Sequence, residues 1–217
     1  MPPAEASRDS RLQGFLIYTN DRTDAFAHTD GGVAVAYQRR GAGRPLVLLA
    51  GQANNHHWWE GVREDFHDTH STITLDYRGS PGGLRAVERD ASVRRALAQP
   101  DPDAVRQTLT GLMYSPNWLA EHPGPYGTLG DPHMPAHAKR GHLVASNEHD
   151  AWDALPSIGA PTLILHGDQD RLTPPENVGL LAARIPDTRT HLFPGARHAY
   201  FEECRGAAGA LTREFLH

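Results

Sequence analysis

The sequence predicts an α/β protein with a mostly parallel sheet, helices on both faces and an inserted helical lobe. Three observations carry that expectation. Short apolar runs with abrupt ends, Pro45–Ala50 and Thr162–Leu165, read as strands buried on both faces. The second of these runs into Gly167, Asp168 and Asp170, followed by Pro174 and Pro175. This places two carboxylates at the carboxyl end of a buried strand, just before a helix, where open α/β sheets position their chemistry. Between the two halves, residues 84–150 lose the strand-like runs and take on helical periodicity.

Bulk composition narrows the function classes. The 217 residues, 39% hydrophobic with 21 Gly and 17 Pro, suffice for one domain with a substantial core. A net charge of −5 without a basic block argues against a nucleic-acid partner. Cys204 is the single cysteine, so no intrachain disulfide is available. The polar start M-P-P-A-E-A-S-R-D-S-R has no apolar core for a signal peptide, and no run approaches a membrane span. The expectation is a soluble cytoplasmic protein without a membrane partner. Fourteen histidines are many, but His56-His57 and His133/His137 follow no fixed metal spacing and read as solvated loop residues. No metal and no cofactor are expected.

Along the chain, residues 1–13 read as a polar tail. Phe15–Tyr18 is a short apolar candidate for an edge strand, and Gly32–Arg40 alternates weakly after the Asp30-Gly31-Gly32 turn. Pro45–Ala50 ends at Gly51-Gln52 and leads into Asn54-Asn55-His56-His57-Trp58-Trp59-Glu60, a loop into a first helix with a tryptophan as core anchor. Thr72–Leu75 is a further strand, ending in the turn Asp76–Ser80. A helix is expected over Ala86–Gln99. A second starts at Asp101-Pro102 and carries Val105, Leu109 and Leu112 on one stripe to Met113. Ser115-Pro116 caps a third with Trp118 and Leu119, and a fourth covers about Ala136–Leu155 after a Pro/Gly-rich loop. Past Asp170, the string Gly195-Ala196-Arg197-His198 sets a histidine in a loop before the final helix.

Taken together, these motifs resemble the α/β-hydrolase fold with a helical cap. The resemblance runs from about Gly32 to His217. It divides the chain into residues 14–83 and 156–217 as two parts of the core and 84–155 as the cap, after the 1–13 tail. It implies that Asp170 is the triad acid and His198 the base, in the order acid then histidine. It implies that Gly51 matches the oxyanion turn, with Gln52 supplying the backbone N–H, although Ala50 stands where the family has histidine. D-Y-R-G at Asp76–Gly79 resembles the family's structural D-x-R-G turn. Met113, Tyr114, Trp118 and Trp152 become candidates for the wall of a pocket under the cap.

One element of the pattern is missing. The nucleophile elbow G-x-S-x-G occurs nowhere in the sequence. The nearest string, Arg78-Gly79-Ser80-Pro81-Gly82-Gly83, has Arg78 where the tight turn needs glycine. Pro81, which follows the candidate nucleophile Ser80, has no N–H to donate to an oxyanion. Ser115, Ser146 and Cys204 lie on no elbow. The family's next strand, helix and strand need at least ~30 residues, yet only Ser80-Pro81 separates the D-x-R-G turn from Gly82-Gly83 and the cap. The inference is an internal deletion of the two central strands. Val47–Leu49 and Leu163–Leu165 must then pair directly or leave open edges, and pairing between two chains in a homodimer is an available escape.

The expected function is accordingly a hydrolase-family protein, nominally acting on a small ester, amide or lactone through a Ser-His-Asp-type mechanism, with activity weakened or lost. The alternatives are a catalytically inactive protein that binds a small ligand or partner, and a truncated product without function.

Overall fold

A computed structural model describes residues 25–28, 34–51, 54–75, 87–131 and 133–217. Phe15–Tyr18, the 1–13 tail, Gln52 and the Asp76–Gly83 junction with Ser80 lie outside the described residues.

Two parallel strand pairs form the frame. The first belongs to a four-stranded sheet of β1 (Ala25–His28), β2 (Ala34–Arg40), β3 (Arg44–Leu49) and β4 (His70–Leu75), in the order β1-β2-β4-β3. β3 and β4 run parallel, in register from Arg44 opposite His70 to Leu49 opposite Leu75, and β2 and β1 continue antiparallel. The turn between β2 and β3 passes close to the start of β4. At Gly43, with φ of 104°, an added Cβ would stand 2.3 Å from the Thr69 carbonyl oxygen, so only glycine fits. The second pair, β5 (Thr162–Gly167) and β6 (Thr188–Phe193), forms a separate two-stranded parallel sheet.

Among the described residues no strand lies between β3 and β5, and each keeps one open edge. Val47 is 53% and Leu49 57% exposed, and β5 is only half-buried along Thr162–His166. The sequence readings of β3 and β5 as buried on both faces are thus corrected. Their apolar composition suits a sheet interior, but no strand among the described residues covers their free edges.

Helices α1 (Ala91–Leu97), α2 (Pro102–Met113), α3 (Pro116–Glu121) and α4 (Ala136–Glu148) separate the two sheets in sequence. Their starts follow local chemistry. Asp90, Asp101 and Ser115 each accept a backbone N–H from the first turn of α1, α2 and α3. The first helix is shorter than the expected 86–99 because Asp90 caps it. The fourth ends at His149, in extended conformation, and a 3₁₀ segment at Trp152–Ser157 replaces its expected last turns. The helix expected after Trp58-Trp59 is instead two 3₁₀ turns, His56–Trp59 and Arg63–Phe66, the first capped by Asn55. α5 (Glu176–Ala182) crosses from β5 to β6, and α6 (Tyr200–Glu203) and α7 (Arg205–Leu216) close the chain. No helix among the described residues is long and apolar enough to cross a membrane.

Side chains rather than sheet hydrogen bonds join the two halves. Ala50, Trp58, Met113, Tyr114 and Ala199 form one buried cluster drawn from the end of β3, a 3₁₀ turn, the end of α2 and the loop before α6. On α7, Arg205 grips Asp65 through both carboxylate oxygens, at 2.8 and 2.6 Å. The fully buried Arg63 guanidinium reaches Thr72, Thr74, Gln38 and Glu60, which accounts for the polar residues on the covered face of β4.

Candidate active site

The loop after β5 and the loop after β6 meet because Gly167 permits it. A Cβ at Gly167 would lie 2.3 Å from the Arg197 carbonyl oxygen and 2.4 Å from that of Ala196. Two further bonds lock the loops together. Gln169 donates its N–H to Ala196 O at 2.9 Å, and Gly195 donates its N–H to Asp168 Oδ1 at 2.8 Å. Asp168, the first of the two carboxylates, therefore fixes the loop. Gly167→Ala is expected to push the His198 loop away and to cost about 1–3 kcal/mol, measurable as a lower urea midpoint with loss of the Asp170–His198 contact.

Asp170 and His198 meet across this junction. His198 Nδ1 lies 2.7 Å from Asp170 Oδ2. The Asp170 side chain is wholly buried, whereas the imidazole keeps 27% of its surface exposed. Asp170 Oδ1 accepts the N–H groups of Leu172 and Thr173 at 2.7 and 2.9 Å. Burial alone would push the Asp170 carboxyl up. The hydrogen bonds from His166 and His198 overcome this and hold it well below the usual carboxylate range. Tyr200, next to the site, is pushed up to about 12 by burial and by the Asp170 charge.

The helical lobe is tied to this loop from both sides of His198. Ala199 donates its N–H to Met113 O at 2.8 Å. Arg197 Nη1 reaches Gly111 O and Tyr114 O, and the Ser115 N–H bonds to Glu203 Oε2 at 3.1 Å. Tyr114 donates its hydroxyl to Glu202 and lies 2.5 Å from the Thr128 hydroxyl. Burial pushes the Glu202 carboxyl up, a trend that the Tyr114 hydroxyl opposes.

The other residues singled out from the sequence distribute as follows. Gly51 sits at the end of β3 against Trp58, and its neighbour Ala50 shares the buried cluster with Ala199, the neighbour of His198. Gln52 and Ser80 lie outside the described residues. Met113 and Tyr114 are fully buried in that cluster, so they fill the core beneath the lobe. Trp118 stacks on Tyr114 and lines a cavity of about 480 Å³ with Tyr126, Glu202 and Arg205, on a side that does not include Asp170 or His198. Trp152 carries the Arg184 guanidinium over its ring at 4.5 Å. His56 is buried rather than solvated, its ring packed against His57. His166, four residues before Asp170, escaped the sequence reading although its ring contacts the acid.

A sequence model of the alpha/beta hydrolase fold matches residues 90–203, just over half of the chain. The chain belongs to the alpha/beta hydrolase fold family. Among curated relatives of this hydrolase-family chain, a 2-hydroxy-6-oxo-6-phenylhexa-2,4-dienoate hydrolase from Burkholderia cepacia is 29% identical over 149 residues, covering 63% of this chain and 51% of that protein. The chain spans about half the length of the curated relatives it matches. Solved structures share the fold. The enol-lactonase from Burkholderia xenovorans LB400 superposes with a TM-score of 0.69 at 15% identity, covering 88% of this chain and 99% of that one. A thermophilic esterase from Thermogutta terrifontis gives a TM-score of 0.67 at 19% identity, covering 89% and 98%.

Proposed function

We propose that this hydrolase-family chain carries the acid–base half of a serine-hydrolase site for a small ester, amide or lactone, and that its own nucleophile is absent, leaving hydrolysis slow or lost. The observation that carries the reading is the 2.7 Å contact between the buried Asp170 carboxylate and His198 Nδ1. A carboxylate accepting from Nδ1–H fixes the tautomer and leaves Nε2 free to take a proton from a hydroxyl or a water. In keeping with this reading, the similar proteins include an oxo-dienoate hydrolase, an enol-lactonase and an esterase.

The case for an absent nucleophile rests on chain length and chemistry. Residues 76–90 alone connect β4 to α1, too few for the strand–helix–strand unit of at least ~30 residues that would carry an elbow. The substitutes are engaged or unsuited. The Ser115 hydroxyl caps α3, and burial pushes the Cys204 thiol up, away from the reactive thiolate. Without a covalent step, the remaining route is attack by water held at His198 Nε2, which forgoes most of the rate that a complete triad gives.

A serine-reactive fluorophosphonate probe is expected to leave the protein unlabelled, and labelling at Ser80 would sink this reading. Slow turnover of an activated p-nitrophenyl ester is expected to disappear in His198→Ala. A second reading, a ligand-binding protein, draws on the cavity of about 480 Å³ beside Trp118. It predicts a higher melting temperature with small apolar acids or esters, and a flat thermal-shift screen would count against it.

A further inference from the structure

Asp170 presents four acceptor positions, and the fold fills all four. Two backbone N–H groups occupy Oδ1, and two histidines converge on Oδ2. One is His198, at 2.7 Å through Nδ1. The other is His166, whose Nε2 stands 3.2 Å from the same oxygen and 2.9 Å from the Thr173 carbonyl oxygen. Both neighbours of His166 Nε2 are acceptors, so this nitrogen carries the proton and divides it between them. The His166 side chain is 14% exposed, and it comes from the end of β5, where His166 lies opposite Leu192 of β6.

We propose that His166 is a positioning residue for the acid–base pair: it pins Asp170 through Oδ2 and, by occupying that oxygen, limits how strongly the carboxylate draws on His198. The inference rests on the Asp170–His198 reading above. The physical argument is competition for one oxygen. A carboxylate oxygen that already accepts a hydrogen bond offers less negative charge to a second donor. If His166 also takes up a proton, its positive charge further disfavours an imidazolium at His198. The surroundings support both effects. Burial works against a charged His166, yet its bonds to Asp170 and Thr173 carry its pKa above the ordinary histidine value. The other groups facing this cluster are the Tyr200 ring, centred 6.4 Å from that of His166, and the Arg89 guanidinium, which interacts with Asp170. Tyr200 stays neutral at ordinary pH and Arg89 is permanently charged, so His166 is the neighbour that can adjust the pair.

The test is histidine-selective ¹⁵N NMR, which needs no turnover. In the unsubstituted protein the neutral His166 ring is expected to hold its proton on Nε2, and finding it on Nδ1 overturns the proposal without any variant. In His166→Phe, with the fold checked by circular dichroism, the His198 titration midpoint is expected to rise by about half a pH unit or more. His166→Gln keeps an N–H donor and is expected to bring the midpoint back towards the original value. A midpoint in His166→Phe that stays within ~0.2 pH unit or falls would mean that His166 merely fills space. Asp170→Asn separates this from the underlying reading. If His198 titrates unchanged in Asp170→Asn, the acid–base pair itself is wrong. If it shifts there but not in His166→Phe, only the role of His166 fails.

Discussion

Asp170→Ala is expected to lower folding stability by about 3–5 kcal/mol, among the largest single effects in the molecule. The substitution removes the shared acceptor of four donors: the N–H groups of Leu172 and Thr173, the His198 ring N–H, and the His166 ring N–H, which keeps only the Thr173 carbonyl oxygen. Asp170→Asn keeps an acceptor for the two backbone donors and gives up the charge, so it is expected to cost less. The comparison has a pH signature. The depressed Asp170 pKa contributes stability that is fully present above its unfolded value near ~3.9 and is lost as pH falls through the folded value. The raised His166 pKa contributes stability that is fully present below its unfolded value near ~6.5 and is lost as pH rises through the folded value. Both contributions coexist between about pH 4 and 6.5. The gap in urea-unfolding free energy between the unsubstituted protein and Asp170→Ala should be widest there and narrow on both sides. A gap that is flat with pH would show that the carboxylate contributes shape rather than charge.

The Asp170–His198 contact was legible because the two residues sit at chain positions with strong local signals. Gly167 and Gly195 mark the two turns, an apolar run ends just before the first, and helices begin just after both. The helical lobe was legible for a similar reason, since the caps at Asp101 and Ser115 act within three residues of where they stand. What stayed hidden depends on distant partners. One face of β4 holds the buried Thr72 and Thr74, which defies the apolar rule for buried strands until Arg63 is seen to fill it. β1 is four residues long with Phe26 half-exposed, too short and too open to leave a pattern. His166 ends a strand like any other residue, and nothing in its neighbours announces that it and His198 converge on one oxygen. The half-burial of β5 was equally invisible, because the composition of a strand reports the sheet it suits and not the strands present beside it.

That mismatch leads to the second large effect, on association. Among the described residues β3 pairs with β4 on one side only and forms an edge of its sheet. Pro45, Val47 and Leu49 alternate onto one exposed face of the same strand, so an open edge and an apolar face coincide. We propose that this edge pairs antiparallel with β3 of a second copy, joining two four-stranded sheets across a two-fold axis. A six-residue edge spans about 20 Å and buries far less than the ~1,200–2,000 Å² of a stable interface. Association should therefore be weak and concentration-dependent, shading into aggregation as the protein is concentrated. Val47→Lys with Leu49→Lys removes the apolar face and sets like charges against each other at the two-fold, as natural edge strands do. The double variant is expected to sediment as a monomer at concentrations where the unsubstituted protein forms larger species. Both side chains are more than half exposed, so the folded monomer should lose little stability. If the variant associates as strongly as the parent, the contact lies elsewhere. The open edge of β5 would then be next to probe, with a lysine at an outward position of that strand.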